Sequence, residues 1–339
     1  MQKYINIQNR RYLGNKYKLL PFIKEVVDKN CFNINSVADL FAGTGTVSSL
    51  FQDKKLIIND KLYCNYICNY AWFSAKDYDE NKIIDLINTW NELNINEENY
   101  MTKNFENTYF SRKDCSKIGY IREYIERYFN ESKINERERA ILLTSLLYAM
   151  DKIAKTCGLY DAYRKNVEFD SSLELYVPNV FKNNHKENII LNNDINDIAN
   201  TFEADLVYLD PPYNSRQYCD AYHLLENVAR WEKPKVFGVA KKFDRSSSAY
   251  KSDYCTQKAP LVFEELINKL KCKYILLSYN DTANQGDCRS NAKISDKEIL
   301  DVLNKKGKVK MFYSDYKTYN SGNKSNIKTT QERLFLCCV

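Results

Sequence analysis

Residues Asp210-Pro-Pro-Tyr213 combine groups that could handle an amine attached to a flat ring. They close the run 206–210, which is apolar except for its last residue and predicts a buried strand. Proline fixes φ and removes the backbone N–H, so Pro211 and Pro212 must end that strand in a stiff turn. The Asp210 carboxylate and the Pro211 carbonyl can accept hydrogen bonds from an NH₂ group, and Tyr213 offers a face for stacking. Ligands bind at the carboxyl ends of strands in open α/β sheets, so the turn fits the exocyclic amine of a flipped-out base.

An ordinary strand-ending turn with a capping aspartate is the alternative interpretation. A glycine-rich turn upstream argues against it. There a short apolar strand, predicted at 37–41, runs into Gly43-Thr-Gly45 and a helix predicted to start near Thr46. The glycines allow a sharp turn and a close approach to a ligand. Ser48 stands where the dinucleotide fingerprint has its third glycine, so that fingerprint is incomplete and the two glycines alone are weak evidence. Asp39 inside the strand needs a partner such as an ammonium group, because burying an unpaired carboxylate is costly.

Two further predicted strands end in acids. The run 55–60 ends at Asp60, and the run 188–194 ends at Asp194. In Rossmann-type sites the acid closing the second strand holds ribose hydroxyls; capping of the next helix is the alternative role for Asp60. Together with Asp210, these acids are predicted to outline one pocket at one rim of a sheet.

A basic segment precedes the first of these strands. Gly14 allows a tight turn, and Lys16 is predicted in the first turn of an amphipathic helix that runs to about residue 30. A positive charge at a helix N-terminus is unfavourable for the helix dipole. We therefore expect an anionic partner for Lys16, with a solvated lysine as the alternative.

These signals predict an α/β fold: a Rossmann-like sheet with helices on both faces. Residues 61–186 break the strand–helix rhythm and look helical at 67–73, 83–93, 118–129 and 137–154, with basic and aromatic residues interleaved. We predict one domain formed by 1–60 and 187–339, interrupted by this mainly helical insert. After the Asp210 turn we expect a helix at 221–231 that stops at Pro234, a mobile polar loop at 241–258, strands at 274–279, 309–313 and 333–339, and a loop at 320–326.

Composition limits the class of protein. The chain has 339 residues, 44% hydrophobic, with a formal net charge of +6 and a mean hydropathy of −0.57. No run approaches the roughly 18 apolar residues of a membrane helix and no signal-like segment begins the sequence, so a cytoplasmic protein is expected. Eleven scattered cysteines and two histidines predict reduced thiols and no metal site. The mild positive charge permits a nucleic-acid partner.

The motifs of this chain, and their order, resemble those of the Dam-like (alpha-group) DNA adenine-N6 methyltransferases. The motifs concerned are Arg11-Tyr-Leu-Gly-Asn-Lys16, Asp39 to Val47, Asp60, Asp194 and Asp210 to Tyr213. The resemblance implies that S-adenosyl-L-methionine is the cofactor and that 61–186 is the target-recognition region. It also implies cofactor-binding roles for a set of residues: Tyr12 and Lys16 at the methionine end, Asp39 at the ammonium, Phe41, Gly43 and Gly45 along its path, Asp60 at the ribose, Asp194 at the adenine, and Asp210 beside the methyl group.

The implied reaction is direct methyl transfer to the exocyclic amine of adenine in double-stranded DNA after base flipping. Asp210, Pro211, Pro212 and Tyr213 would be the catalytic residues. Basic residues expected to contact DNA are Lys152, Arg164, Arg216, Arg245 and Lys251. The large, individual insert favours the modification enzyme of a restriction–modification system, whose partner would be a cognate restriction endonuclease acting on the same site.

Other activities stay open from the residues alone. Methylation of RNA adenine or of the cytosine amino group uses similar chemistry, although Asp rather than Ser before Pro-Pro-Tyr disfavours cytosine. A non-catalytic DNA-binding subunit would not need intact Asp210, Tyr213 and both glycines. An oxidoreductase explains neither the Pro-Pro-Tyr turn nor the basic insert.

Overall fold

A mostly parallel sheet forms the centre of the structure. The computed structural model describes residues 3–182, 184–280, 292–314 and 332–339. In chain order, the strands of this part are β1 (Tyr4–Ile5), β2 (Ser36–Asp39), β3 (Lys55–Asn59), β4 (Val177–Pro178), β5 (Ile189–Leu191), β6 (Ala204–Leu209), β7 (Val236–Phe237), β8 (Lys242–Phe243), β9 (Cys272–Asn280), β10 (Lys308–Ser314) and β11 (Glu332–Cys338).

Helices cover both faces of the sheet. They are α1 (Leu20–Asn30), α2 (Tyr63–Phe73), α3 (Glu80–Glu92), α4 (Tyr100–Phe105), α5 (Arg112–Asn130), α6 (Glu136–Ile153), α7 (Ile195–Ile198), α8 (Tyr218–Ala221), α9 (His223–Arg230), α10 (Ala259–Lys269) and α11 (Asp296–Lys306). No helix among the described residues is long and apolar enough to cross a membrane.

Seven of these strands form the central sheet in the order β10-β11-β9-β6-β2-β3-β5. β11 runs antiparallel to β10 and β9, while β9, β6, β2, β3 and β5 are parallel neighbours. The chain leaves β2 towards β3 on one side, and β6 joins β2 on the other side. A crevice therefore opens beyond the carboxyl ends of β2 and β6, the place where open α/β sheets bind ligands.

Alternating side chains give the sheet two apolar faces, because successive residues of a strand point to opposite sides. In β6, Leu206 and Tyr208 join one buried cluster, and Val207 and Leu209 join the other. The second cluster is closed by α7, α10 and α11. The predicted α/β sheet with helices on both faces is thus confirmed.

Helices α2 to α6 do not form a core of their own. Their buried side chains belong to the same cluster as one face of the sheet, together with α1 and α9. Two small pairings lie outside the central sheet. β1 pairs in parallel with β4 and so connects distant parts of the chain, whereas β7 and β8 form a local antiparallel hairpin. The assignment of 61–186 as a target-recognition region stays a prediction.

Several local predictions are wrong in detail. The glycine turn leads into a 3₁₀ helix at Ser48–Phe51, not an α-helix from Thr46, because β3 already begins at Lys55 and short connectors favour 3₁₀ geometry. Lys16 precedes the 3₁₀ turn Tyr17–Leu19, so it lies outside α1 rather than in its first turn.

Differences also follow the Asp210 turn. The helix expected at 221–231 corresponds to α9, and the short helix α8 before it was not expected. Helix α9 ends at Arg230, well before Pro234, and its C-cap residue Trp231 has the left-handed conformation (φ 60°). The expected loop at 241–258 contains β8 and a 3₁₀ turn, Asp253–Cys255. The predicted loop at 320–326 lies outside the described residues.

Candidate active site

Four predicted acids lie at the carboxyl edge of the parallel strands. Asp39 ends β2, and Asp60, Asp194 and Asp210 follow β3, β5 and β6. Asp60, Asp194 and Asp210 border one cleft, which Phe41 and Pro212 also line. The prediction that these acids share a pocket agrees with this arrangement.

A smaller pocket adjoins the cleft. Its lining includes Lys16, Asp39 and Gly43. Tyr12 and Asp210 border both spaces, so they stand where the two spaces meet. A ligand with one end in each space would pass directly beside the Asp210 carboxylate.

The Asp210 carboxylate is held next to a buried lysine. Lys16 Nζ lies 3.0 Å from Asp210 Oδ2, with the Lys16 side chain 7% exposed and that of Asp210 20% exposed. Burial raises the pKa of Asp210 to about 6, and Lys16 limits the rise. The anionic partner expected for Lys16 is therefore Asp210 itself, and Lys16 also donates to the Gly14 carbonyl at 3.1 Å.

Tyr213 is fixed edge-on against a second tyrosine. Its ring makes a T-shaped contact with Tyr279, with centroids 6.4 Å apart. The Tyr213 carbonyl accepts a hydrogen bond from the Lys293 backbone N–H at 2.8 Å. Tyr213 is partly exposed but lines neither the cleft nor the adjoining pocket, so its role in stacking a base stays a prediction.

Asp39 is a buried acid with one oxygen unused. Its side chain is 1% exposed, and Ser48 donates to Oδ2 at 2.7 Å, but Oδ1 has no hydrogen-bond partner among the described residues. Burial raises the pKa of Asp39 to about 7, and Asp210 and Asp60 add to the rise. An unsatisfied carboxylate oxygen at a pocket floor is the feature expected of a group that receives a ligand's ammonium.

The glycines of the turn make room for protein side chains. Gly43 and Gly45 have φ of +54° and +79°. A Cβ on Gly43 would lie 2.6 Å from the Tyr12 ring, and one on Gly45 would lie 2.1 Å from Asn69 Oδ1. The sequence suggested space for a ligand; in the structure these positions let Tyr12 and α2 pack onto the turn.

Asp60 is surrounded by donors. Its Oδ2 accepts from the Gly43 N–H at 2.8 Å, and its Oδ1 accepts from the Leu62 N–H at 2.9 Å and from Asn65 Nδ2 at 3.0 Å. Burial raises the pKa of Asp60 to about 6, while these donors lower it. The carboxylate is thereby tied to the glycine turn and to the start of α2.

Asp194 has partners that the sequence did not suggest. Lys61 Nζ lies 2.6 Å from its Oδ2, and its Oδ1 accepts from the Asn196 N–H at 3.1 Å, which caps α7. Lys61 also lines the cleft. Lys61 directly follows Asp60 in the sequence, so its place in the site could have been predicted from that neighbour.

Aromatic residues also line the cleft. Tyr12 stacks on Tyr222 with centroids 4.9 Å apart and an interplanar angle of 14°. Phe41 meets Tyr254 edge-on at 5.0 Å, and Tyr254 donates to Asn196 Oδ1 at 2.9 Å. Sequence reasoning missed Tyr254 because it placed that residue in a mobile loop.

The basic residues predicted to contact DNA are in different environments. Arg164, Arg216 and Lys251 have exposed side chains. Lys152 is exposed but donates to the Tyr176 hydroxyl at 2.7 Å. Arg245 is paired with Asp220 at 2.6 Å and is only 14% exposed, so contact with a phosphate would require it to leave that partner.

The described residues hold no group of three or more His, Cys, Asp or Glu side chains able to bind a metal ion. The cysteines of this part of the chain are free, and most are buried. Neither the acids nor the thiols therefore form a metal centre within the described residues.

Comparison with known proteins shows which family of proteins this chain is similar to. Residues 12–284 match the model of the D12 class N6 adenine-specific DNA methyltransferases. Modification methylase StsI of Streptococcus sanguinis is 35% identical over 345 residues, which cover 96% of this chain and 51% of the relative. Type II methyltransferase M.FokI of Planomicrobium okeanokoites is 33% identical, with 96% and 52% covered.

A third relative has a similar length. Type II methyltransferase M.NlaIII of Neisseria lactamica is 29% identical over 333 residues, which cover 93% of this chain and 94% of the relative. The chain thus spans about half the length of the first two relatives and nearly the whole length of the third.

Proposed function

We propose that this chain, which belongs to the D12 class N6 adenine-specific DNA methyltransferase family, transfers the methyl group of S-adenosyl-L-methionine to the exocyclic amine of adenine in duplex DNA. One observation carries the proposal. The Asp210 carboxylate borders both the pocket that contains Asp39 and the cleft that contains Asp60 and Asp194. An acceptor for an amine therefore stands where the two spaces meet.

The residues present fit the cofactor. S-adenosyl-L-methionine, when bound, supplies a methyl group on a sulfonium centre. The free Oδ1 of Asp39 suits an ammonium, and Asp60 at the rim of the cleft suits ribose hydroxyls. The Lys16 ammonium could pair with the carboxylate of the cofactor's methionine end. Asp194 and Lys61 offer a hydrogen-bond acceptor and a donor to the edge of the cofactor's adenine.

The Asp210 turn acts on the target base. An adenine amine is a weak nucleophile because its lone pair is delocalised into the ring. Asp210 and the Pro211 carbonyl would accept hydrogen bonds from its two N–H groups, which concentrates electron density on nitrogen and stabilises the positive charge that develops there. Pro211 and Pro212 keep both acceptors on a rigid backbone, which supplies the orientation that such a reaction needs.

The target base must leave the duplex to reach Asp210. Unstacking costs a few kcal/mol, and stacking on Tyr213 would recover part of that energy. The exposed side chains of Arg164, Arg216 and Lys251 are candidates for phosphate contacts. Lys152 and Arg245 are candidates as well, Arg245 only after it separates from Asp220.

A labelled-methyl assay tests the proposal. The chain is incubated with labelled cofactor and duplex DNA, and the modified base is mapped by sequencing. Asp210→Ala should abolish transfer and leave cofactor binding measurable. Parallel reactions with RNA and with adenine-free DNA separate the RNA and cytosine alternatives, and near-wild-type turnover by Asp210→Ala would refute the assignment of Asp210.

We further propose that the chain is the modification enzyme of a restriction–modification system. The names of the relatives, modification methylase and Type II methyltransferase, support this role. DNA methylated by the chain should resist a cognate restriction endonuclease at the mapped site. Cleavage of fully methylated DNA at that site would contradict the protective role.

A further inference from the structure

Asn65, on the first turn of α2, joins three parts of the candidate site. Its side chain is 0% exposed. Its Nδ2 donates to Asp60 Oδ1 at 3.0 Å and to the Tyr12 hydroxyl at 3.0 Å. Its Oδ1 accepts from Arg10 Nη1 at 3.0 Å. One amide therefore contacts two proposed cofactor residues and a buried arginine.

Arg10 determines which way the Asn65 amide points. A guanidinium can only donate hydrogen bonds, so the amide oxygen must face Arg10 and the NH₂ group must face Asp60 and Tyr12. The reverse orientation would place two donors against each other and an oxygen against a carboxylate. Arg10 can enforce this because it is itself 2% exposed.

Arg10 is held by its surroundings. Its guanidinium lies 5.8 Å from the Tyr12 ring centroid and 5.7 Å from that of Tyr222. Cys64 Sγ lies 3.7 Å from its Nη2. The arginine therefore reaches Asp60 only through Asn65, and it packs against Tyr12 directly.

We propose that Arg10 and Asn65 form a positioning pair that fixes the Asp60 carboxylate and the Tyr12 ring for cofactor binding and keeps Asp60 ionised. The inference rests on the proposed roles of Asp60 and Tyr12 in cofactor binding. Neither Arg10 nor Asn65 touches the cleft, so their effect passes through the two residues that do.

Asp60 needs this support because its surroundings disfavour a negative charge. Burial raises its pKa, the Leu62, Asn65 and Gly43 donors lower it, and Glu226 on α9 raises it again. Asp39 on β2 and Tyr12 in the N-terminal segment also lie close enough to Asp60 to interact with its charge. Removing the Asn65 donor should therefore raise the pKa of Asp60 towards neutrality.

The test measures binding of S-adenosyl-L-methionine by calorimetry from pH 5 to 9. In Asn65→Leu, we expect affinity at pH 7 to fall about ten- to hundredfold, the effect of losing a hydrogen bond to a charged group. The pH at which binding weakens on the acid side should move upwards. A purely structural role would weaken binding without moving that pH.

Asn65→Asp is the second variant, because it keeps the size of the side chain and can still pair with Arg10. It places a second acid beside Asp60, so the acid-side loss of binding should move to a higher pH than in Asn65→Leu. Asn227→Leu is the matched control. Asn227 is also a buried asparagine, 2% exposed, but it lies on α9 rather than α2 and donates to the Tyr100 hydroxyl at 2.9 Å instead of to Asp60.

The outcomes are distinct. An acid-side shift in Asn65→Asp, absent from Asn227→Leu, supports the positioning pair even if Asn65→Leu does not fold. A wild-type pH profile in Asn65→Asp overturns the inference and leaves the proposed function intact. Failure of the wild-type chain to bind the cofactor would instead refute the proposed function.

Discussion

The ion pair between Lys16 and Asp210 predicts how the proposed methyl transfer should depend on pH. Replacing Lys16 with methionine keeps most of the buried volume and removes the charge 3.0 Å from Asp210 Oδ2. At an effective dielectric constant of about 20, two unit charges at that distance interact by about 5.5 kcal/mol, equivalent to about four pKa units. A nearby opposite charge typically lowers a carboxyl pKa by about one to three units, and we take that smaller range.

The expected pKa of Asp210 in Lys16→Met then rises from about 6 to about 7–9. If the ionised Asp210 carboxylate is the acceptor for the target amine, only molecules with Asp210 ionised can react, and these are about nine-tenths of the wild-type protein at pH 7. In the variant, that fraction falls to between about one-half and one-hundredth. Turnover at pH 7 should thus fall about 2- to 100-fold and recover as the pH rises through 9.

The assay is methyl transfer at saturating cofactor and DNA, from pH 5.5 to 9.5. Saturation separates the effect on Asp210 from any loss of cofactor affinity caused by removing Lys16. Lys16→Arg is the matched control, since it keeps the positive charge and should keep the acid-side profile near that of the wild type. An acid limb that stays at the wild-type pH in Lys16→Met would refute the argument that Lys16 keeps Asp210 ionised.

Three further predictions concern neighbouring residues. Tyr213→Ala should impair base capture far more than folding. If DNA with 2-aminopurine at the target position gave the same fluorescence change with this variant as with the wild type, base flipping would be intact and the prediction contradicted. Asp39→Asn should abolish cofactor binding yet raise the free energy of unfolding at pH 8 by about 1–3 kcal/mol, because the ionised acid is buried and no described residue pairs with its Oδ1. The pKa of Asp39 is higher folded (about 7) than unfolded (3.8), so its contribution to stability is greatest below pH 4 and falls as the pH rises through 7; a gain that persists at pH 4 would contradict this sign. Gly45→Ala should destabilise the protein by about 2–4 kcal/mol in thermal or urea unfolding, because its Cβ would meet Asn69. Gly158→Ala, also at positive φ but with no atom of a described residue within 4 Å of its Cβ, should cost about 1 kcal/mol.

The sequence predicted the parts of the site that depend on short stretches of chain. Apolar runs that end in an acid located Asp60, Asp194 and Asp210 at strand ends, and parallel pairing then brings such ends to one edge. The two prolines and the two glycines predicted turns by their backbone limits alone. These features need no knowledge of distant contacts.

What the sequence did not predict depends on contacts between distant segments. The pairs Lys16–Asp210 and Lys61–Asp194 join residues far apart in the chain, and nothing local marks them as partners. Asn65 was likewise unremarkable in a helix full of polar and aromatic residues. Helix α8 was not predicted, because four residues are too few to show a helical periodicity.

The shared core of the sheet and helices α2 to α6 has a consequence for how this chain could acquire a new target sequence, if residues 61–186 are its target-recognition region as predicted. A recognition segment with its own core could be exchanged between relatives as a cassette. Here an exchange would cut through the cluster that also contains Leu206 and Tyr208 of β6, the strand that leads into the proposed catalytic turn. Changes of target should therefore accumulate as substitutions at exposed positions, with the buried framework kept as one cooperative unit.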